Sequence, residues 1–208
     1  MSSFPPTNVT PEDTEMTVWV QFYHPFICHI NDNRDRFDQI IGWSDELLEN
    51  DHKYIHWLFP LPEPSRHNMN APLLEEETYL IFRATIALQD NMKLALLRML
   101  YFYGFVIEWT REWEPVIREK EAERGAFHRW LKETDHNHRR ISRIIRSLRI
   151  FGFLREAKIV YWQFIRTDMS WHGGVSEKSK AAWKIAAEGP LHEVPGTKEE
   201  IDWLVKYA

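Results

Sequence analysis

Two short segments gather the side chains best suited to proton transfer or ligand recognition, His52 to Pro60 and His136 to Leu148. A histidine titrates near neutral pH and can give or take a proton, while an arginine fork binds carboxylate or phosphate. In the first segment Leu48, His52, Ile55 and Phe59 follow one another at four, three and four residues. On a continuous helix from Leu47 to Phe59 this spacing predicts His52 on the apolar face, buried or half-buried with a hydrogen-bond partner. Such a histidine is more often a satisfied core residue than a reactive one. His52 and His56 also form an i, i+4 pair, the spacing at which one helix can hold zinc between two rings. The glutamate that follows the first histidine of the zinc-protease motif is replaced by Lys53, and no distant third ligand is evident, so no metal site is expected.

The second segment, Asp135-His136-Asn137-His138-Arg139-Arg140-Ile141, opens an amphipathic helix with Asp135 or Asn137 available to cap its free amides. Its apolar face is Ile141, Ile144, Ile145 and Leu148. His136 and His138 lie about 200° apart on a helix, so regular geometry does not let them chelate one ion. Arg139, Arg143 and Arg146 read as a basic stripe, and residues 136–155 hold six arginines and no carboxylate. One reading pairs the stripe with the acids between Glu112 and Glu123; the other draws a ligand anion to it.

The elements that must position these groups are mostly helical. Thr17 to Ile30 is β-branched and aromatic but interrupted by Pro25, and is the one strand candidate. From Arg34 onward apolar residues recur at three- and four-residue steps, broken by Pro60, Pro62 and Pro64 and resumed after Glu75, Glu76 and Glu77. A stretch through Met92, Leu96, Met99 and Tyr103 ends at Gly104, a candidate helix cap. Glu112 to Arg124 reads as a solvated loop or surface helix. Further helices are expected around Ile159 to Ile165, from Ser176 to Ala187 and near the C-terminus, where Ile201, Trp203 and Leu204 would pack. The predicted class is all-α, a single compact multi-helix domain with one short extended N-terminal segment. Residues 1–16 read as a flexible tail, 17–188 as the domain and 189–208 as a C-terminal extension with a short helix.

A net charge of -5 makes nucleic acid an unexpected partner. The single Cys28, the absence of a secretory leader pattern and the lack of an apolar run near the roughly 20 residues that span a bilayer point to a cytoplasmic or nuclear protein that is not secreted. Neither a glycine-rich phosphate loop nor a dinucleotide fingerprint is present, and no cofactor is expected. With 10 Trp, 12 Phe and 7 Tyr, the chain has aromatic surface enough to line a pocket as well as a core.

Trp43, Glu49, His52, Tyr54-Ile55, Trp57-Leu58-Phe59-Pro60-Leu61, Phe102-Tyr103-Gly104, His136-Asn137-His138, Arg140-Ile141, Arg143-Ile144 and Ser147-Leu148 occur in an order that resembles the conserved domain of the opioid growth factor receptor family. The similarity runs from about Val20 to Lys184. It implies a helical domain that binds a short opioid peptide and works in the nucleus without spanning a membrane. His52, His136, Asn137, His138, Arg140 and Arg143 match the pattern, whereas His56 departs from it. Two functions follow. As a binding module, the domain would hold a peptide or small molecule through Trp57, Tyr103, His136, Asn137, Arg140 and Arg143. As a cofactor-independent isomerase, cyclase or lyase, it would use His52 and His138 as acid and base.

Overall fold

The structure, a computed structural model, describes residues 16–65, 68–110, 115–120 and 126–207. Short helices α1 (Val18–Tyr23), α2 (Phe37–Ile41), α3 (Asp45–Asn50) and α4 (Tyr54–Leu58) lead to α5 (Glu76–Ala84) and the longer α6 (Ile86–Phe102). A two-stranded antiparallel sheet of β1 (Phe105–Trp109) and β2 (Pro115–Glu119) follows, paired from Phe105 with Glu119 to Trp109 with Pro115. Helices α7 (His136–Ile150), α8 (Leu154–Ser170) and α9 (Glu177–Glu188) complete the main body, and a 3-10 helix, Asp202–Tyr207, ends it. The fold is therefore mostly helical but not all-α.

Three expectations are corrected. The strand candidate at 17–30 contains helix α1 instead: the Thr17 hydroxyl accepts from the Val20 amide, and Trp19, Val20, Phe22 and Tyr23 are all buried. Packing on both sides of so short a segment overrides its β propensity. The strands lie further on: β2 falls in the stretch expected as a charged loop or surface helix, and β1 follows the helix end expected at Gly104. Gly104, at φ +92°, ends α6 and turns the chain into β1, where a side chain would sit 2.9 Å from the Phe127 ring. Finally, 47–59 is not one helix. The Asp51 carboxylate accepts from the amides of Lys53 (2.7 Å) and Tyr54 (3.1 Å), closing a turn that separates α3 from α4. His52 sits on that turn and is exposed, not on a buried face.

Helix α7 packs against α8 and α9, and its apolar face is buried from Ile141 to Ile150. Aromatic rings fill the space on either side: Trp19, Phe82 and Phe151 near the N-terminal helices, and Trp130, Phe164 and Trp183 under α9. Each such ring is worth roughly 1.5–3 kcal/mol for the apolar area it removes from water. Residues beyond α9 return to this body: Leu204 is buried, and Trp203 and Tyr207 contact the Tyr79 ring.

The stripe read at Arg139, Arg143 and Arg146 divides: Arg139 is exposed, while Arg143 and Arg146, with Arg140 and Arg149, are bonded within the protein. Arg140 donates to the carbonyls of Leu48 (2.8 Å), Glu49 (3.3 Å) and Asp51 (2.6 Å), which close the C-terminal end of α3. Arg143 donates to the Phe59 carbonyl at 3.0 Å. Arg146 meets the Glu63 carboxylate (2.7 Å) and the carbonyls of Leu191 and Glu193, and Arg149 holds those of Ala186 and Gly189. Of the acids between 112 and 123 only Glu119 lies among the described residues, and it accepts from the Thr167 hydroxyl and the Trp171 indole rather than from these arginines. Burial lowers the Arg143 guanidinium to about 10, opposed by Glu63, which leaves it charged at neutral pH.

Removing Arg140 would orphan three carbonyls, at about 1–3 kcal/mol for each one left buried and unpaired. Arg140→Leu is expected to lower the unfolding free energy by about 3 kcal/mol or more, whereas Arg139→Ala, at an exposed position, should change it by less than about 1 kcal/mol. Urea unfolding of the two variants measures this, and equal losses would contradict it.

Candidate functional site

The start of α7 meets the end of α3 in a polar cluster built around Asn137. Asp135 caps α7, its carboxylate accepting from the Asn137 amide at 2.7 Å. The buried Asn137 side chain is then fully engaged. Its oxygen accepts from Arg140 (3.0 Å) and the Tyr103 hydroxyl (3.3 Å), and its nitrogen donates to the Arg129 carbonyl (3.0 Å) and to Glu49 (3.1 Å). Arg140 also donates to His52 Nδ1 at 2.9 Å, so a neutral His52 carries its proton on Nε2. The His52 ring stands edge-on to His136, centroids 5.0 Å apart. His136 lies between Glu49 (3.5 Å) and Asp135 (3.4 Å).

Five of the residues singled out in the sequence thus come together here: His52, Tyr103, His136, Asn137 and Arg140. The other three do not join them. His138 is buried, with Nε2 donating to the Trp130 carbonyl at 2.6 Å and Nδ1 accepting from the Ser179 hydroxyl at 2.9 Å; its ring meets the Trp183 edge. Trp57 is buried against Phe22, its carbonyl accepting from the Trp19 indole. Arg143 serves the Phe59 carbonyl. His56, set aside in the sequence, is buried and bonded to Ser65 at 2.9 Å.

Burial, helped by the nearby Arg140 guanidinium, holds His136 below the ordinary histidine value. For Asp135, burial pushes upward, but Lys132 and the Asn137 amide outweigh it and leave the carboxyl below its usual range. Burial raises both the Tyr54 and Tyr103 hydroxyls, so neither ionises at neutral pH. Glu49, Asp135 and His136 each present a donor atom within 4.8 Å of the others, a set the spacing of the sequence did not show because residue 49 is far from 135 along the chain. Lys132, at 2.8 Å from Asp135, and Arg140 already bring positive charge to this set. It reads as a balanced ion-paired cluster.

A second feature lies at the other end of α7. A groove of about 310 Å³ runs between α7, α8 and the end of α9, lined by Arg149, Leu154, Lys158, Tyr161, Trp162, Ala187 and Glu188. Leu154 is 59% exposed and Trp162 40%, large apolar surface held open to solvent beside the buried Tyr161. None of these residues was read as a site. The signal was available: Leu154, Lys158 and Trp162 stand four residues apart on α8, on the face opposite core residues such as Val160 and Phe164. The interior space under Tyr103, lined by Leu96, Met99, Ile141 and Phe164 among others, is too narrow for a water molecule.

The opioid growth factor receptor (OGFr) conserved region matches residues 12–172. The chain is 35% identical over 135 residues to the opioid growth factor receptor of Rattus norvegicus, covering 64% of this chain and 23% of that protein. It is 36% identical over 117 residues to the Homo sapiens receptor, covering 55% and 17%. Against opioid growth factor receptor-like protein 1 of Rattus norvegicus it is 35% identical over 111 residues, covering 52% and 22%. The chain therefore spans less than a quarter of the length of these relatives. No solved structure matches it.

The lowered titration of His136 has a consequence for stability. The unfolded chain takes up this proton near pH 6.5, the folded one only at lower pH, so the contribution of His136 is complete above 6.5 and is lost as pH falls through its folded value. The unfolding free energy is expected to fall between pH 7 and 5, less steeply in His136→Gln. Parallel pH profiles for parent and variant would refute the assignment.

Proposed function

We propose a binding role for this chain, which belongs to the opioid growth factor receptor conserved-region family: it is a helical module whose groove between α7, α8 and α9 takes a peptide. The observation that carries the reading is the groove itself. Its 310 Å³ is at the lower end of the roughly 300–1,000 Å³ typical of ligand sites, and it joins exposed apolar and aromatic surface to a few charged groups. Trp162 and Leu154 gain by being covered, and fixed aromatic rings lose little conformational freedom on binding. The relatives are named as receptors for opioid growth factor, which makes that peptide the first ligand to test.

The acid-base alternative has less support. Both nitrogens of His138 are engaged in the packed interior, one by a main-chain carbonyl, and His52 is exposed and bonded to Arg140. His138, bonded through both nitrogens, has no free position for a substrate proton, and His52 keeps only Nε2, with no second acid-base group of the proposed pair beside it. The inward-turned Arg140 and Arg146 likewise offer little to a nucleic-acid backbone. No described helix is long and apolar enough to cross a membrane. We further propose a cytoplasmic or nuclear location, in keeping with the lone Cys28.

Calorimetric titration with opioid growth factor is expected to show saturable binding that Trp162→Ala weakens about 10-fold or more. His52→Gln, at an exposed position remote in sequence from the groove, should leave it unchanged. Equal affinity in the parent and Trp162→Ala would remove the groove as the site, and absence of binding would remove the peptide.

A further inference from the structure

We propose that the groove recognises the free C-terminal carboxylate of its peptide, with Lys158 as the cation and Trp162 as the platform for the last side chain. The proposal rests on the peptide-binding reading and names the end of the peptide that is held.

The charges of the groove point this way. Its lining carries Arg149, Lys158 and Glu188. Arg149 is already committed, one terminal nitrogen donating to the carbonyls of Ala186 at 3.0 Å and Gly189 at 2.9 Å, with Glu188 as its nearby counter-charge. Lys158 is exposed and makes no hydrogen bond or ion pair among the described residues. The groove thus has one cation in excess and lacks a carboxylate to match it.

The position of Lys158 matters as much as its charge. Leu154, Lys158 and Trp162 are separated by four residues, so they form one column along α8 with the ammonium between two apolar side chains. A chain end fits this column, because it presents one carboxylate beside one side chain. Lys158 also lies just past the first turn of α8, whose capping residue Phe153 offers no side-chain acceptor to the amides there. Glu156 stands in the same first turn but two residues from Lys158, on another side of the helix, so on the groove side the positive end of this 17-residue helix adds to the attraction for an anion. The opposing negative end of α9 is blunted where Arg149 covers its last carbonyls.

The test compares opioid growth factor as the free acid and as the C-terminal amide by calorimetry, with N-acetyl-tryptophan and its amide as a second pair. In the parent the acid of a pair should bind about 10-fold more tightly than its amide, the gain of one charge-assisted hydrogen bond. Lys158→Gln should bring the acid down to the level of the amide while leaving the amide within about 2-fold, and Lys158→Arg should restore most of the difference. Lys158 is exposed, so these variants are expected to fold, and circular dichroism checks it. Acid and amide binding equally, or Lys158→Gln weakening both alike, would overturn the carboxylate assignment and leave the peptide reading standing. Binding of N-acetyl-tryptophan but not of the peptide, still dependent on Lys158, would keep the assignment for aromatic acids and remove the peptide. No binding by either pair would overturn both.

Discussion

Four arginines on one helix hold the rest of the chain in place. Arg140, Arg143, Arg146 and Arg149 recur every three residues along α7, and three residues are about 300° of helical turn, so each guanidinium points about 60° away from the one before. Three steps of this kind sweep round half the helix. That rotation lets a single element reach the end of α3, the carbonyl of Phe59 after α4, the segment around Glu63 and residues 191–193, and finally the end of α9. A guanidinium suits the task because it is planar, stays charged when buried and presents several donors at once.

This arrangement also decides where ligand chemistry can reside. A main-chain carbonyl that has lost water needs a donor, and the arginines that supply one are not available to a ligand anion. In the cluster between α3 and α7, Asn137, Arg140, Glu49 and Asp135 satisfy one another almost completely, which favours a role in holding the helices. The groove at the opposite end of α7 differs in kind. There Leu154, Lys158 and Trp162 stay exposed, and the fold gains little from them. Side chains that the interior does not need are the ones free to meet a partner.

How far the sequence revealed this follows from which signals are periodic. Helix α7 was legible because Ile141, Ile144, Ile145 and Leu148 repeat with helical spacing, and Asp135 stands in capping position. The partners of its arginines were not, since the carbonyls they meet lie at helix ends and in loops, where no side-chain pattern marks them. His52 was misplaced because Asp51 can either continue a helix or accept two amides and end it, and the local pattern does not distinguish these. The hairpin was hidden by the apolar run from Met99 to Ile107, which crosses a helix end at Gly104 without a change in composition. Of the site, the juxtaposition of Glu49 with His136 required the fold, whereas the open column on α8 was readable but looked like core.

Helix length shows why the arginines matter beyond their individual bonds. α2, α3 and α4 have five, six and five residues, far below the roughly 12–15 at which an isolated helix becomes even marginally stable. Their stability must come from contacts outside themselves. Asp45 at the start of α3 is held by Arg98 of α6 and by Arg129, and the end of α3 by Arg140 of α7. The short N-terminal helices are therefore conditional on the long ones, and the histidine cluster forms only when the two meet. The α8 and α9 groove does not share that dependence, because its walls are two long helices and the end of a third. A ligand there can bind without disturbing the junction that His52 and His136 occupy.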